Sequence, residues 1–339
     1  MKKLFHQNAD ERWMKRALEL AGRAGERARP NPRVGAVVVN NGRVVGEGFH
    51  ASAGGAHAEV VALGRAGVKA KGAKLYVTLE PCSTRGRTPA CTDLIIASGI
   101  REVIYGSGDV NPRNGGRAER ILRRAGIRVN RGVRSKECDK LNEDDRHWTT
   151  KKEPWVILKL GLTLDGYLAV PGKRWVTGGK ARAEVQKLRA GSDAILVGAE
   201  TVRKDNPRLT VRMVGVGDQP WRVVLTRSGK LPQGAKLFRG RDKDRTLVYR
   251  RKTWSEVLKD LHRKGVSRLL VEGGAEVARG LLKSGKVNEA VIYLAPILVG
   301  DGKKGIARVV DWSSWSWREV VMSCAGEDLC LRGKLGGAN

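Results

Sequence analysis

The chain has 339 residues, 41% hydrophobic and 29% charged, with 65 Lys and Arg against 35 Asp and Glu. That length suits two or three domains rather than one, and the composition fits a soluble globular class and not a disordered one. No apolar run approaches the roughly 18 residues of a membrane span, the start MKKLFHQNADERWMKRALEL lacks a secretory core, and five cysteines make no disulfide scaffold, so a cytoplasmic protein with no membrane partner is expected. The basic excess is spread, with 28 basic against 16 acidic side chains in residues 1–150 and 37 against 19 beyond. A nucleic-acid face more often forms a patch or stripe, so a nucleic-acid partner is not expected, and phosphorylated small ligands suit the charge.

Helical and strand patterns alternate along the chain. Residues 11–25 have helical spacing through Trp13, Ala17, Leu18 and Ala21. GAVVVN at 35–40 and RVVGEGF at 43–49 read as a hairpin across Asn41-Gly42. A helix at 57–67 ends at Gly67, followed by a strand at 74–80, a helix at 91–99, a strand at 101–106 and a helix at 118–126. The polar stretch RSKECDKLNEDDRHWTTKKEP at 134–154 separates this block from the next, which places a boundary near 150. A second run of strands and helices follows: WVILKLGLTLDG, KARAEVQKLRAG, SDAILVGAETV, RVVLT, RTLVYR, a helix at 253–264, SRLLVEGG, EVARGLLKSG and EAVIYLAPILVG. Such alternation implies two α/β units with buried sheets, residues 1–150 and 151–339.

The first block carries a metal signature. His57-Ala58-Glu59 opens a helix, Pro81-Cys82 follows a strand, and Cys91 begins another helix. One imidazole and two thiolates, His57, Cys82 and Cys91, make a three-ligand zinc site with a fourth position left for water. Glu59 is not a ligand. It is placed to carry the proton from that water to a leaving amine, as in zinc nucleobase deaminases. Cys138, Cys324, Cys330, His6, His147 and His262 lack such partners in the sequence and read as structural. Base deaminases acting on tRNA or free cytidine usually have two residues between the cysteines. Here the eight residues STRGRTPA intervene, with Arg85 and Arg87 suited to a phosphate.

At this point the sequence resembles the bifunctional deaminase/reductase family of riboflavin biosynthesis. The matching signatures run in family order: PNPRVGAVVV at 30–39, VGEGFH at 45–50, HAEV at 57–60, VTLEPCSTRGRTPAC at 77–91, DVNP at 109–112 and LKLGLTLDG at 158–166. WVTGGKAR at 175–182, LRAGSDAILVGAETV at 188–202, DNPRLTVR at 205–212, VEGG at 271–274 and LAPILVG at 294–300 continue the series. The resemblance implies a cytidine-deaminase-like three-layer α/β/α domain followed by a dihydrofolate-reductase-like α/β domain. It implies zinc, NADPH, a phosphorylated pyrimidine substrate and a homo-oligomer.

By the same resemblance, Asn31, His50, Asp109 and Asn111 line the pyrimidine pocket and Arg87 meets the substrate phosphate. Lys159 reaches the substrate of the second reaction, a hydride transfer in which Asp205 lies near the nicotinamide and Glu272 holds sugar hydroxyls. Trp175, Thr201 and the run Gly274, Ala275, Glu276, Val277, Ala278, Arg279 and Gly280 contact the cofactor, its phosphate at the helix start. Arg189, Leu209 and Arg212 contact the substrate. Thr84 stands where the family usually has histidine, and DVNP where it has DPNP. Lys173, Asn206 and Thr226-Arg227 depart from the reductase pattern. Two other readings stay open: a tRNA or polynucleotide base deaminase with an accessory domain, and a deaminase with a silent reductase half.

Gly300 to Gly305 matches GxGxxG, but the tryptophan-rich IARVVDWSSWSW follows instead of a helix, so the match reads as coincidental. Trp312, Trp315 and Trp317 read as packing residues.

Overall fold

The computed structural model describes residues 2–84, 89–213, 219–300 and 316–336. The chain divides into two compact units, Met1–Lys151 and Lys152–Asn339.

The first unit begins with α1 (Lys2–Gly22), which starts well before the apolar spacing at 11–25 becomes visible. The hairpin β1 (Gly35–Asn40) and β2 (Arg43–Phe49) follows, with Asn41 and Gly42 both at positive φ, the backbone that an Asn-Gly turn supplies at low cost. Next come α2 (Ala58–Ala66), β3 (Lys74–Leu79), α3 (Cys91–Ala97), β4 (Glu102–Ser107), α4 (Arg117–Arg124) and β5 (Arg128–Arg131). The sheet order is β2-β1-β3-β4-β5, and β1 runs against the other four. Alternation along the strands sends Ala36, Val38, Leu75, Val77 and Val103 to α2, α3 and α4 on one face. It sends Val37, Val39, Tyr76 and Ile104 to Met14, Ala17 and Leu20 of α1 on the other, which makes three layers.

Two glycines of β2 set the depth of α2. A Cβ on Gly46 would lie 2.2 Å from the Ala62 carbonyl oxygen, and one on Gly48 would lie 2.5 Å from that of Ala58. The helix therefore rests on bare strand backbone.

The polar stretch expected to be a separator is instead α5 (Ser135–Leu141) and α6 (Glu143–Lys151), both part of the first unit. Its low apolar content hid helices that attach through Cys138, buried against α1 and the sheet, and through polar anchors.

The second unit contains β6 (Trp155–Thr163), α7 (Gly179–Ala190), β7 (Ala194–Gly198), α8 (Ala199–Asp205), β8 (Trp221–Thr226), β9 (Thr246–Arg250), α9 (Trp254–Arg263) and β10 (Arg268–Val271). It ends with α10 (Ala275–Lys283), β11 (Glu289–Ala295), β12 (Ser316–Ala325) and β13 (Asp328–Gly336). The sheet order is β12-β13-β11-β6-β10-β7-β8-β9, and among these described strands β13 alone runs against the rest. Helices α9 and α10 pack on one face through Val257, Leu261, Ala278 and Leu281. On the other face α7 contributes Ala181 and Val185, and α8 contributes Val202. Strands β12 and β13 are mostly exposed or weakly alternating and were not anticipated from the sequence. Trp317 does pack against the core. Trp312, Trp315 and residues 301–305 of the glycine-rich match lie outside the described residues.

Candidate active sites

The topology of the first sheet brings the metal signature to one edge. The carboxyl ends of β2, β3 and β4 meet the amino end of β1 there. His57 caps α2 with extended backbone, Cys82 follows β3, and Cys91 opens α3. His57 Nδ1 lies 3.2 Å from Cys91 Sγ and 3.6 Å from Cys82 Sγ. All three donor atoms fall within 4.8 Å of one another. Tetrahedral zinc with its usual Zn–N and Zn–S bonds sets donors about 3.6–3.8 Å apart, so the triad fits that ion. Ser83 Oγ and Thr92 Oγ1, each next in sequence to a ligand cysteine, are buried with no hydrogen-bond partner among the described residues.

Electrostatics agree with the donor set. The Cys82 sulfur is held well below the usual thiol range, first by its hydrogen bond with Cys91 and then by His57, against burial. Cys91 is correspondingly pushed up, first by Cys82 and then by burial, so one proton is shared between the two sulfurs. His57 is raised by its bond to Cys82 despite burial. Glu59 is 3% exposed, and burial pushes its carboxyl up.

Beside this triad, His50 is 3% exposed, and its ring meets that of His57 edge-on with centroids 5.7 Å apart. His50 Nδ1 is 3.0 Å from the Ala56 carbonyl oxygen, which requires the Nδ1–H tautomer and leaves Nε2 to accept from Asn31 Nδ2 at 3.1 Å. Asp109 and Asn111 lie in the loop after β4. Asp109 Oδ1 accepts the Asn111 amide, and Asn111 Oδ1 accepts that of Arg113. Thr84, at the departing position, donates to Asn114 Oδ1 at 2.9 Å and so ties the Cys82 loop to the Asp109 loop. Arg85 and Arg87 lie outside the described residues.

One participant went unassigned in the sequence. Glu80, 4% exposed at the end of β3, accepts the amides of Asp109, Gly116 and Ala118 at 3.1–3.3 Å. It thereby holds both the Asp109 loop and the start of α4. Its signal was a carboxylate placed two residues before a ligand cysteine.

In the second unit, β6, β10 and α7 assemble a charge cluster. Register places Leu158 beside Val271, and hence Lys159 beside Glu272. Lys159 Nζ is 3.5 Å from Glu272, and Arg189 grips the same carboxylate with two N–H bonds of 2.6 and 2.9 Å. Arg189 Nη1 also donates to the Thr210 carbonyl. Burial pushes Glu272 up, but Lys159 and Arg189 outweigh it and hold the carboxyl at about 2.

The turns after β7 and β10 form a cradle. A Cβ on Gly273 would lie 2.5 Å from Val277, one on Gly198 would lie 2.7 Å from it, and one on Gly274 would meet only Thr201 Oγ1, at 3.7 Å. Among the described residues no side chain caps α10, and Thr201 Oγ1 lies beside its first turn, an arrangement that suits a phosphate. The expected cofactor run is divided by helix geometry. Gly274, Ala275 and Glu276 sit at the helix start, and Arg279 is exposed. Val277 packs against the two glycines, Ala278 is fully buried, and Gly280 lies beneath Trp254.

Trp175 is exposed, with the guanidinium carbons of Arg174 and Arg182 5.2 and 5.5 Å from its ring centroid. Asp205 ends α8 and is raised by burial, with Lys204 and Arg174 pulling the other way. Leu209 is 2% exposed with positive φ, and its side chain packs with Val224 and Leu237, which leaves its backbone as the part that can meet a ligand. Arg212 is exposed, and its amide donates to Gln186. Asn206 occupies the left-handed C-cap of α8, a conformation asparagine tolerates, and accepts the Lys236 amide. Thr226 closes a turn by accepting the Gly229 amide, and Lys173 is an exposed turn residue.

The first site thus has the ligands and buried carboxylate of a zinc deaminase, and the second unit has the cradle of a nucleotide-dependent reductase. Comparisons with known proteins agree. Residues 7–107 match the cytidine and deoxycytidylate deaminase zinc-binding region, and residues 154–331 match the RibD C-terminal domain. The riboflavin biosynthesis protein RibD of Aquifex aeolicus is 39% identical over 95% of this chain and 97% of its own. The Acinetobacter baumannii RibD structure superposes with a TM-score of 0.86 at 33% identity, covering 98% of this chain and all of that one. A Thermotoga maritima structure described as a diaminohydroxyphosphoribosylaminopyrimidine deaminase/5-amino-6-(5-phosphoribosylamino)uracil reductase gives 0.81 at 36% identity, over 97% and 99%. The chain belongs to the RibD family. It is a bifunctional riboflavin biosynthesis enzyme with a zinc-binding deaminase domain and an NADPH-dependent reductase domain.

Proposed function

We propose that residues 1–150 hydrolyse the ring amine of a diaminohydroxyphosphoribosylaminopyrimidine, and that residues 151–339 then reduce its ribosyl group to ribityl. The observation that supports this most is the convergence of His57, Cys82 and Cys91 beside buried Glu59 and the Asn31–His50 pair. Zinc held by the three ligands would supply Lewis acidity that makes water nucleophilic near neutral pH. Glu59 takes a proton from the attacking water and returns it to the departing amine, so water and substrate become the oxo pyrimidine and ammonia. Its buried carboxyl, shifted upward, suits both halves of that transfer. Asn31 and His50 orient the pyrimidine, Asp109 and Asn111 line the same pocket, and Arg87 meets the phosphate.

In the second unit NADPH would supply the hydride. Thr201 and the first amides of α10 hold its phosphate, Trp175 lies along it, and Asp205 sits near the nicotinamide. Glu272, fixed by Arg189, accepts hydrogen bonds from sugar hydroxyls while Lys159 donates to the opened sugar. Arg212 contacts the substrate phosphate. The family resemblance supports a homo-oligomer and a cytoplasmic setting. Among the described residues no helix is long and apolar enough to cross a membrane.

A mass-spectrometric product assay tests the reading. Zinc-replete protein should deaminate the phosphoribosylamino-pyrimidine without NADPH, and deaminate then reduce it with NADPH. Deamination alone in both tubes would show a silent second unit. No product in either would remove the substrate assignment.

A further inference from the structure

Residues 108–153 lie between the two matched regions, yet the end of α5 and the start of α6 bond to both the loop holding Asn31 and the residues just before Asp109. Asn142, 4% exposed, accepts the Arg33 amide at 2.8 Å and donates to the Arg33 carbonyl at 2.9 Å. This pairing imitates a strand partner for a loop that has none. Two residues later, in the first turn of α6, Asp144 binds Arg33 at 3.2 Å and Arg29 at 3.7 Å, so it brackets Asn31 from both sides. Arg146, on the same helix, donates to Ser107 Oγ and the Gly108 carbonyl at 3.2 Å, immediately before Asp109.

We infer that Asn142 is a positioning residue for deamination, with Asp144 and Arg146 completing a buttress that fixes Asn31 against His50 and sets its distance from the Asp109 wall. This rests on the reading above that Asn31 and Asp109 face the pyrimidine. The physical reason is local. The Arg29–Arg33 loop holds two prolines, which lack amide hydrogens, and it belongs to no strand. Removing the Asn142 amide strips a donor and an acceptor from its backbone at once and frees the loop to move by a fraction of an ångström. Substrate orientation is sensitive on that scale.

A double-mutant cycle tests it on the full chain. Asn142→Ala should lower kcat/KM for deamination about tenfold. Zinc should stay at one per chain, and kcat/KM for reduction of the deaminated substrate in the same preparation should stay within about twofold. In an Asn31→Ala background the same change should cost less than about twofold, because the loop's cargo is already gone. If Asn142→Ala does not fold, Asn142→Asp, which keeps the acceptor and loses the donor, is carried through the same cycle. Equal losses in both backgrounds, or a loss below about twofold in the wild type, would overturn the inference. An Asn31→Ala variant with full activity would instead remove the pocket reading, and the buttress with it.

Discussion

Replacing Arg189 with methionine probes the charge cluster of the second unit directly. Glu272 would remain buried, its side chain 8% exposed, with only Lys159 at 3.5 Å to balance it. Stripping one partner from a buried ion pair costs about 3–5 kcal/mol. At about 2–4 °C per kcal/mol for a unit of this size, Arg189→Met should lower the second unit's Tm by about 6–20 °C at pH 7.5. The pH dependence follows from the sign. Glu272 is depressed in the folded state, so its contribution is complete above about pH 4.3 and is lost as pH falls toward 2. In the variant, the carboxyl loses a cation and burial favours the neutral acid, so it protonates before the wild-type group and the gap should narrow as pH falls from 7.5 to 4.5. Scanning calorimetry at pH 7.5 and 4.5 reads both, with Arg189→Met/Glu272→Gln expected to recover most of the loss. A gap below about 1 kcal/mol at pH 7.5, or one that widens on acidification, would refute the reasoning.

Glu59→Gln should retain one zinc per chain and lose deamination by about 10²–10⁴-fold, measured by metal analysis and steady-state assay. After zinc is removed with a chelator, the Cys82–Cys91 pair, which shares one proton, should alkylate rapidly at pH 6, and zinc should protect it; a pair that alkylates no faster than an ordinary thiol would contradict this assignment. Asp205→Ala should leave deamination unchanged and slow reduction, and unchanged reduction would place the nicotinamide elsewhere. Gly274→Asp should weaken NADPH binding about tenfold or more by setting a carboxylate beside Thr201, read by loss of NADPH-induced thermal stabilisation.

Most of the fold was legible because its signals are short-range. Alternation in GAVVVN and the Asn-Gly turn define the hairpin, and glycines mark where helices stop. The ligand triad was legible because each residue begins or follows a regular element, so its place at the sheet edge follows from the element order. What escaped was long-range or polar. Strand β12 exposes Val320, Val321 and Met322, which removes the alternation that announces a strand. Helices α5 and α6 attach through Asn142, Asp144 and Arg146, whose partners lie about a hundred residues earlier or about forty earlier in sequence. The Arg189–Glu272 grip spans 83 residues and gives no local pattern. The side-chain directions in α10 needed its packing, since a run of seven residues cannot all face one ligand.

The glycines beneath α2 carry a consequence for how this enzyme can change. Gly46 and Gly48 are neither metal ligands nor substrate residues, yet a single methyl at either would push the helix bearing Glu59 outward from the strand. In a library scored for deamination, alanine at these two sites should be purged as stringently as loss of a ligand. A search for essential chemistry by mutational intolerance would then report two residues with no functional group at all.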